Sequence, residues 1–189
     1  ASAAARLAIG QVPIILSVVA SEELHMYPNE RYWYIGGDQY NPLKATTTND
    51  ASLLLPVNTW TGNYVVAAWY HWNDFGGYPG FYAVVASQDN TKVTLTPSTT
   101  GKQVKAGGGI AANGTGVVML NEGDVLEVMS LAGDVTGTKV TADKPVGVFG
   151  GHECTNVPLN VTACDHLEES IFPIETLAKE YVVVPPVQV

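Results

Sequence analysis

Charge is scarce in this chain, and what there is leans one way. Of its 189 residues 14% are charged, against about 25% in ordinary soluble domains. Lys and Arg together number 9 and Asp and Glu 18, a formal net charge of −9. Lys and Arg cluster nowhere along the chain. That argues against nucleic acid and against anionic membrane surfaces as partners, because both require a basic face. Long apolar runs are missing as well. The run Val12–Ala20, VPIILSVVA, is short and contains Pro13, whereas a membrane-spanning helix needs about 20 apolar residues. It reads as a buried strand, and no transmembrane segment is expected. Helix signals are poor: ASAAARLA has the propensity without a capping residue, and Pro173 interrupts Glu168–Lys179. No signal peptide is legible. The chain opens at ASAAARLAIG and closes inside YVVVPPVQV, so it reads as a portion of something longer, and a missing leader carries no information on location.

What is present is β-strand patterning. Short β-branched or alternating runs recur at residues 64–69 (YVVAAW), 81–86 (FYAVVA), 92–96 (KVTLT), 116–120 (GVVML), 124–129 (DVLEVM), 138–141 (TKVT), 146–149 (VGVF) and 181–184 (YVVV). Gln88-Asp89-Asn90 and Asn121-Glu122-Gly123 sit where hairpin turns are expected, the second inside VVMLNEGDVLEV. Glycine and proline, 19 and 11, punctuate the rest. The fold class expected is all-β, an antiparallel sandwich-like repeat module, with a propeller-type arrangement as the alternative.

The chain also repeats itself. Leu53–Ala67, LLLPVNTWTGNYVVA, aligns without gaps on Ser170–Val184, SIFPIETLAKEYVVV. Pro56 meets Pro173, Thr59 meets Thr176, Trp60 meets Leu177, and Tyr64-Val65-Val66 meets Tyr181-Val182-Val183. RLAIGQVPII further resembles TKVTADKPVGVF once an insertion, the aromatic stretch His25–Tyr40, is allowed for. Residues 1–67 are accordingly expected to be the C-terminal part of a first β repeat with an aromatic insertion, and residues 68–189 a second repeat.

Both cysteines and two of the four histidines fall in GGHECTNVPLNVTACDH, residues 150–166. Three chemistries compete there. A nucleophilic cysteine would need a base, which His152 or His166 could supply. A metal site would gather His152, Cys154, Cys164 and His166, since alternate residues of a strand share a face, but His-x-Cys is not a usual zinc spacing. The reading preferred is a Cys154–Cys164 disulfide in an oxidising compartment, with no metal and no cofactor. The sequon at Asn160 lies inside that loop and a second stands at Asn113; both are glycosylation acceptors if the source secretes by a eukaryotic route.

These residues carry a family resemblance. DVTGTKVTADKPVGVFGGHECTNVP, then ACDHLEESIFPIETLAKEYVVVP, together with the earlier YAVVASQDNTKVTLTP, resemble the N-terminal domain of IgGFc-binding proteins. The specific pieces are Lys144-Pro145-Val146, Gly151-His152-x-Cys154, Val157-Pro158, Cys164-Asp165-His166-Leu167-x-Glu169 and Glu180-Tyr181-Val182-Val183. The likeness covers most of residues 50–189 and fades before Asp50. It implies an extracellular or cell-surface, β-rich, non-enzymatic domain with its two cysteines bonded, and residues 68–189 as a repeat of this type. It does not imply antibody binding, for which no residue here stands out.

Two aromatic stretches are candidate recognition surfaces, because aromatic faces stack on sugars and Tyr and Trp favour contact centres. One is the loop His71–Gly80, with Trp72, Asn73, Asp74 and Tyr78; the other is Trp33 and Tyr34 within the insertion. Turns at residues 38–41 and 89–90 lack any regular calcium spacing. Asp165, Glu168 and Glu169 are neighbours in sequence, which by itself says nothing about the separation a glycosidase needs. The function expected is non-catalytic binding or adhesion toward a protein or glycan surface. The alternative is a structural subunit that assembles with copies of itself into a surface layer or filament.

Overall fold

The computed structural model describes residues 3–9, 12–18, 53–73, 77–99, 101–158, 160–161 and 164–182. Trp33, Tyr34 and Asp74, named above as candidates, lie outside the described residues, as does the rest of the aromatic insertion. Strands β1 (Ala3–Ile9) and β2 (Val12–Val18) form an antiparallel hairpin. The opening ASAAARLA, which has helical propensity, is therefore largely strand. Eight further strands make the main sheet: β3 (Thr61–Val65), β4 (Gly80–Ala86), β5 (Thr91–Thr96), β6 (Gly101–Val104), β7 (Gly116–Leu120), β8 (Val125–Gly133), β9 (Lys139–Thr155) and β10 (Asp165–Ser170). All pairings are antiparallel, and the sheet curls into a half-barrel. The all-β expectation holds. Among the described residues no helix is long and apolar enough to cross a membrane.

Strand β9 organises everything else. Val146 pairs with Ala86 of β4 and with Thr61 of β3, so those strands lie on opposite flanks. Lys139, Val140 and Thr141 likewise face β3 on one flank and β5 on the other. Residues 149–152 face β4 and β10. Strands β4 and β5 therefore follow one another along one flank of β9, and β10 and β3 along the other. The sequence suggested two short strands at 138–141 and 146–149; they are one strand of 17 residues. Pro145 interrupts neither, because its missing N–H falls in the stretch between the two sets of pairings. Its carbonyl accepts from the N–H (3.2 Å) and hydroxyl (2.6 Å) of Ser87.

This layout corrects both expected hairpins. The turn at Asn121–Gly123 forms, with Gly123 at φ 83° and the Asp124 N–H donated to Asn121 O at 2.9 Å. Yet β7 pairs with β5, while β8 pairs with β4 and β6. The turn is a corner between the two halves of the sheet. Gln88–Asn90 is likewise a link between collinear strands and not a hairpin tip. Turn chemistry specifies a change of direction, and pairing is decided by where the partners' apolar faces are buried.

Burial follows the strand period. In β5, Thr91, Val93 and Leu95 point inward while Lys92 and Thr96 are exposed. Tyr82, Val84 and Ala86 of β4 join Val93, Leu95, Val140, Val146 and Val148 in the main core, which also receives Tyr64 and Val66. The opposite face of β4 is covered too. Val85 packs there with Trp60 and Phe149, shielded by Leu54, Leu55 and Val57. Residues 53–66 thus serve both faces, and β3, just upstream of position 67, is paired with β9, well downstream of it.

Candidate functional site

At one end of the sheet β4 begins, β9 finishes and β10 starts, and there the structure gathers residues far apart in sequence. The His71–Gly80 loop closes on itself through a small antiparallel bridge. The Trp72 N–H donates to Tyr78 O at 2.9 Å and the Tyr78 N–H to Trp72 O at 2.7 Å. Across that bridge the two rings stack, centroids 5.7 Å apart and planes 27° inclined. Both are half-buried, and Asn73 beside them is exposed. Gly77, at φ 89°, is needed here twice over: any Cβ would be in a strained backbone and 3.0 Å from Nε2 of His71. His71 is fixed in turn by its N–H on Gly133 O and its Nδ1 3.2 Å from Ser130 O.

Beneath the loop lies a buried polar layer. His152 is fully buried, pairs across to Gly80, and its Nδ1 accepts the Cys154 N–H at 3.1 Å. Burial pushes its imidazole down to about 4, with His71 and then His166 acting in the same direction. His166, on β10, stacks on Phe81 with centroids 5.8 Å apart, and its Nε2 lies 3.6 Å from Oε2 of the buried Glu168. The Glu153 N–H donates to Pro79 O at 3.0 Å, which ties the aromatic loop to the end of β9.

Cys154 and Cys164 are joined in a disulfide, S–S 2.06 Å. Sulfurs bonded to each other are neither thiolate nucleophiles nor thiolate ligands. The four-residue metal arrangement is therefore not the one present, and among the described residues no three His, Cys, Asp or Glu converge to hold an ion. The disulfide loop flanks the same end of the sheet. It carries Asn160, which is exposed. Asn113 is exposed as well, in a distant turn where its Oδ1 accepts from the N–H (3.0 Å) and hydroxyl (2.7 Å) of Thr115.

Of the candidates, then, Trp72, Asn73 and Tyr78 come together, with the Cys154–Cys164 bridge nearby. The His71–His152–His166 layer was not legible, because its members are brought together by pairing between β4, β9 and β10 and no spacing in the sequence announces that. An open groove of about 320 Å³ was missed for the same reason; Ala67, Ala68 and Trp69 form one wall and Gly150, Gly151 and Leu167 the other. Glycines are required along it: a Cβ on Gly150 would fall 1.9 Å from Ala67 O, and one on Gly151 1.9 Å from Leu167 O. Farther along β8, Glu127 is held up to about 7, by burial first and by Glu153 second.

The family model described as "IgGFc binding protein" matches residues 50–189, most of the chain. The chain belongs to that family. Within the IgGFc-binding family, a human protein named "IgGFc-binding protein" is 31% identical over 113 residues, which is 48% of this chain and 2% of that protein. The chain thus spans about 2% of the length of the curated relative it matches. No solved structure matches it. The family match begins ahead of β3, the first strand of the main sheet, and takes in the aromatic loop, the histidine layer and the disulfide.

Proposed function

We propose that this domain is an extracellular, non-catalytic binding module that recognises a protein or glycan surface with the end of its sheet where Trp72 and Tyr78 stack. The observation that carries the reading is that stacked pair. Two large rings are bridged through their own backbones, half-open to solvent, and flanked by the exposed amide of Asn73. Rigid amphipathic rings give contact area at little conformational cost, and an adjacent amide adds directed hydrogen bonds. The buried layer below supplies rigidity: His152 is held uncharged near neutral pH by its surroundings, and Pro79 is tied to Glu153. The disulfide supports an extracellular setting, because such bonds persist in oxidising compartments. Family membership supports protein recognition, the property for which the human relative is named.

A screen of glycan and protein arrays with the intact chain tests this, run beside Trp72→Ala and Asn73→Ala. Binding to one ligand class that Trp72→Ala lowers tenfold or more, about 1.4 kcal/mol, is the expected result. Ligand binding that both variants retain in full would remove the aromatic end from consideration.

A further inference from the structure

The internal repeat is also a repeat of local structure. In the upstream segment, Val57–Thr59 forms one 3-10 turn capped by Pro56 at φ −59°, ψ 142°; in the downstream segment, Ile174–Thr176 forms another capped by Pro173 at φ −56°, ψ 146°. The Thr59 hydroxyl donates to Pro56 O at 2.7 Å, and the Thr176 hydroxyl to Pro173 O at 2.7 Å. The Tyr64 hydroxyl accepts the Thr61 N–H at 3.1 Å, and the Tyr181 hydroxyl accepts the Ala178 N–H at 2.6 Å. The 3-10 turn and the tyrosine contact are specified twice, by contacts internal to each segment, although Thr61–Val65 is strand and 178–182 is not.

Their surroundings differ. Upstream, Trp60 is 6% exposed and Tyr64 1%, seated against β9. Downstream, the matching Leu177 is 53% exposed and Tyr181 65%, while Val182 is 92% exposed where its counterpart Val65 is 37%. The counterpart of a segment that lies along β9 is thus presented to solvent with Leu177, Tyr181 and Val182 uncovered. Its start is held in place: Glu175 accepts from the Asn63 amide at 2.7 Å and from the Thr61 hydroxyl at 3.0 Å.

We propose that Leu177–Val182 is a docking element received by a second molecule of this chain, along that molecule's β9, in the register that Trp60–Val65 occupies here. Among the described residues, the surface that fits this segment is the one its upstream counterpart fills, and every molecule of the chain carries it. Among the described strands β3 pairs with β9 alone, so its opening breaks a single ladder while unseating Trp60 and Tyr64. Exchange of one such element for its near-duplicate restores the main-chain ladder and the inward tyrosine once the upstream segment has opened, so the end state costs little. The inference is independent of what the aromatic end binds.

The register makes it testable. Val65 pairs with Lys139 and Tyr64 with Val140, so the docked Val182 would face Lys139 of the other molecule. Two full-length variants, Val182→Cys and Lys139→Cys, both at exposed positions, are mixed and oxidised. A mixed cross-linked dimer is expected. Adding Tyr181→Ala to the first should cut its yield about tenfold or more, and adding Tyr64→Ala to the second should raise it. Absence of the dimer while both variants retain the native urea midpoint would overturn the proposal. So would a yield unaffected by Tyr181→Ala, or equal cross-linking of Val182→Cys to Val117→Cys on β7.

Discussion

Trp60 occupies the space that a side chain at position 147 would fill. A Cβ on Gly147 would lie 2.5 Å from Cζ2 and 2.6 Å from Cη2 of the indole. The ring is anchored there, its Nε1–H donating to Leu55 O at 3.0 Å. Gly147→Ala must displace a rigid ring or bend β9, and overpacking of this kind costs about 1–3 kcal/mol. We expect a lower urea midpoint with an unchanged slope, partly restored by Trp60→Phe in the same chain. An unaltered midpoint would mean that the indole is free to shift.

The paired tyrosines give a second comparison. The Tyr64 hydroxyl donates to Val146 O at 2.7 Å inside the core, where burial raises its pKa. Tyr64→Phe leaves that carbonyl unsatisfied and should lower stability by about 1–3 kcal/mol. Tyr181→Phe, at an exposed site, should stay within about 0.5 kcal/mol at dilute concentration. Equal effects would contradict the different seating of the two segments.

A buried histidine and a half-buried glutamate should oppose each other in the pH dependence of stability. His152 lies near 4 when folded and 6.5 when free. Its unfolded form therefore binds the proton first, and stability falls as pH drops from 6.5 toward 4. Glu127 lies near 7 when folded and 4.5 when free, so it takes its proton first in the folded state, and stability falls as pH rises from 4.5 toward 7. Each contributes a slope of up to about 1.4 kcal/mol per pH unit, and between pH 4.5 and 6.5 the two offset. Urea midpoints across pH 4–8 should show Glu127→Gln losing stability more steeply toward acid than the parent. His152→Gln should show the reverse tilt. Parallel profiles for all three proteins would exclude both assignments.

Closing the loop between Cys154 and Cys164, 10 residues apart, should stabilise by about 3 kcal/mol on the chain-entropy account. The double variant Cys154→Ser, Cys164→Ser should lose that amount, and a reductant should then have no further effect on it. In the parent, alkylation without reductant should add no mass.

Strand positions were largely readable because side chains alternate along a strand wherever one face is buried, as in β5, where Val93 and Leu95 point in and Lys92 and Thr96 out. Pairing was not. Val117 and Met119 of β7 and the apolar residues of β8 read as the two arms of one hairpin; only the three-dimensional course of β9 shows that they belong to different halves. The same holds at the candidate site. Trp72 and Tyr78 are legible as aromatics in a glycine-rich loop, and the cysteines by their spacing. His71, His152 and His166 are assembled by long-range register, which local sequence does not encode. The repeat was visible as matching prolines and tyrosines, but that one segment is covered and the other bare depends on which of them reaches β9.

The position of β9 late in the chain governs the order of events at the ribosome. Strand β3 is finished 74 residues before Lys139, the first residue of the strand it pairs with. At about 5–20 residues per second that is a wait of about 4–15 s, during which β4 can already join β8 and β5 can join β7. Throughout it, Tyr64 lacks the Val146 carbonyl it donates to and Trp60 lacks Phe149. Codon speed between residues 66 and 138 therefore sets how long a nascent chain competes with its neighbours on a polysome for the same strand.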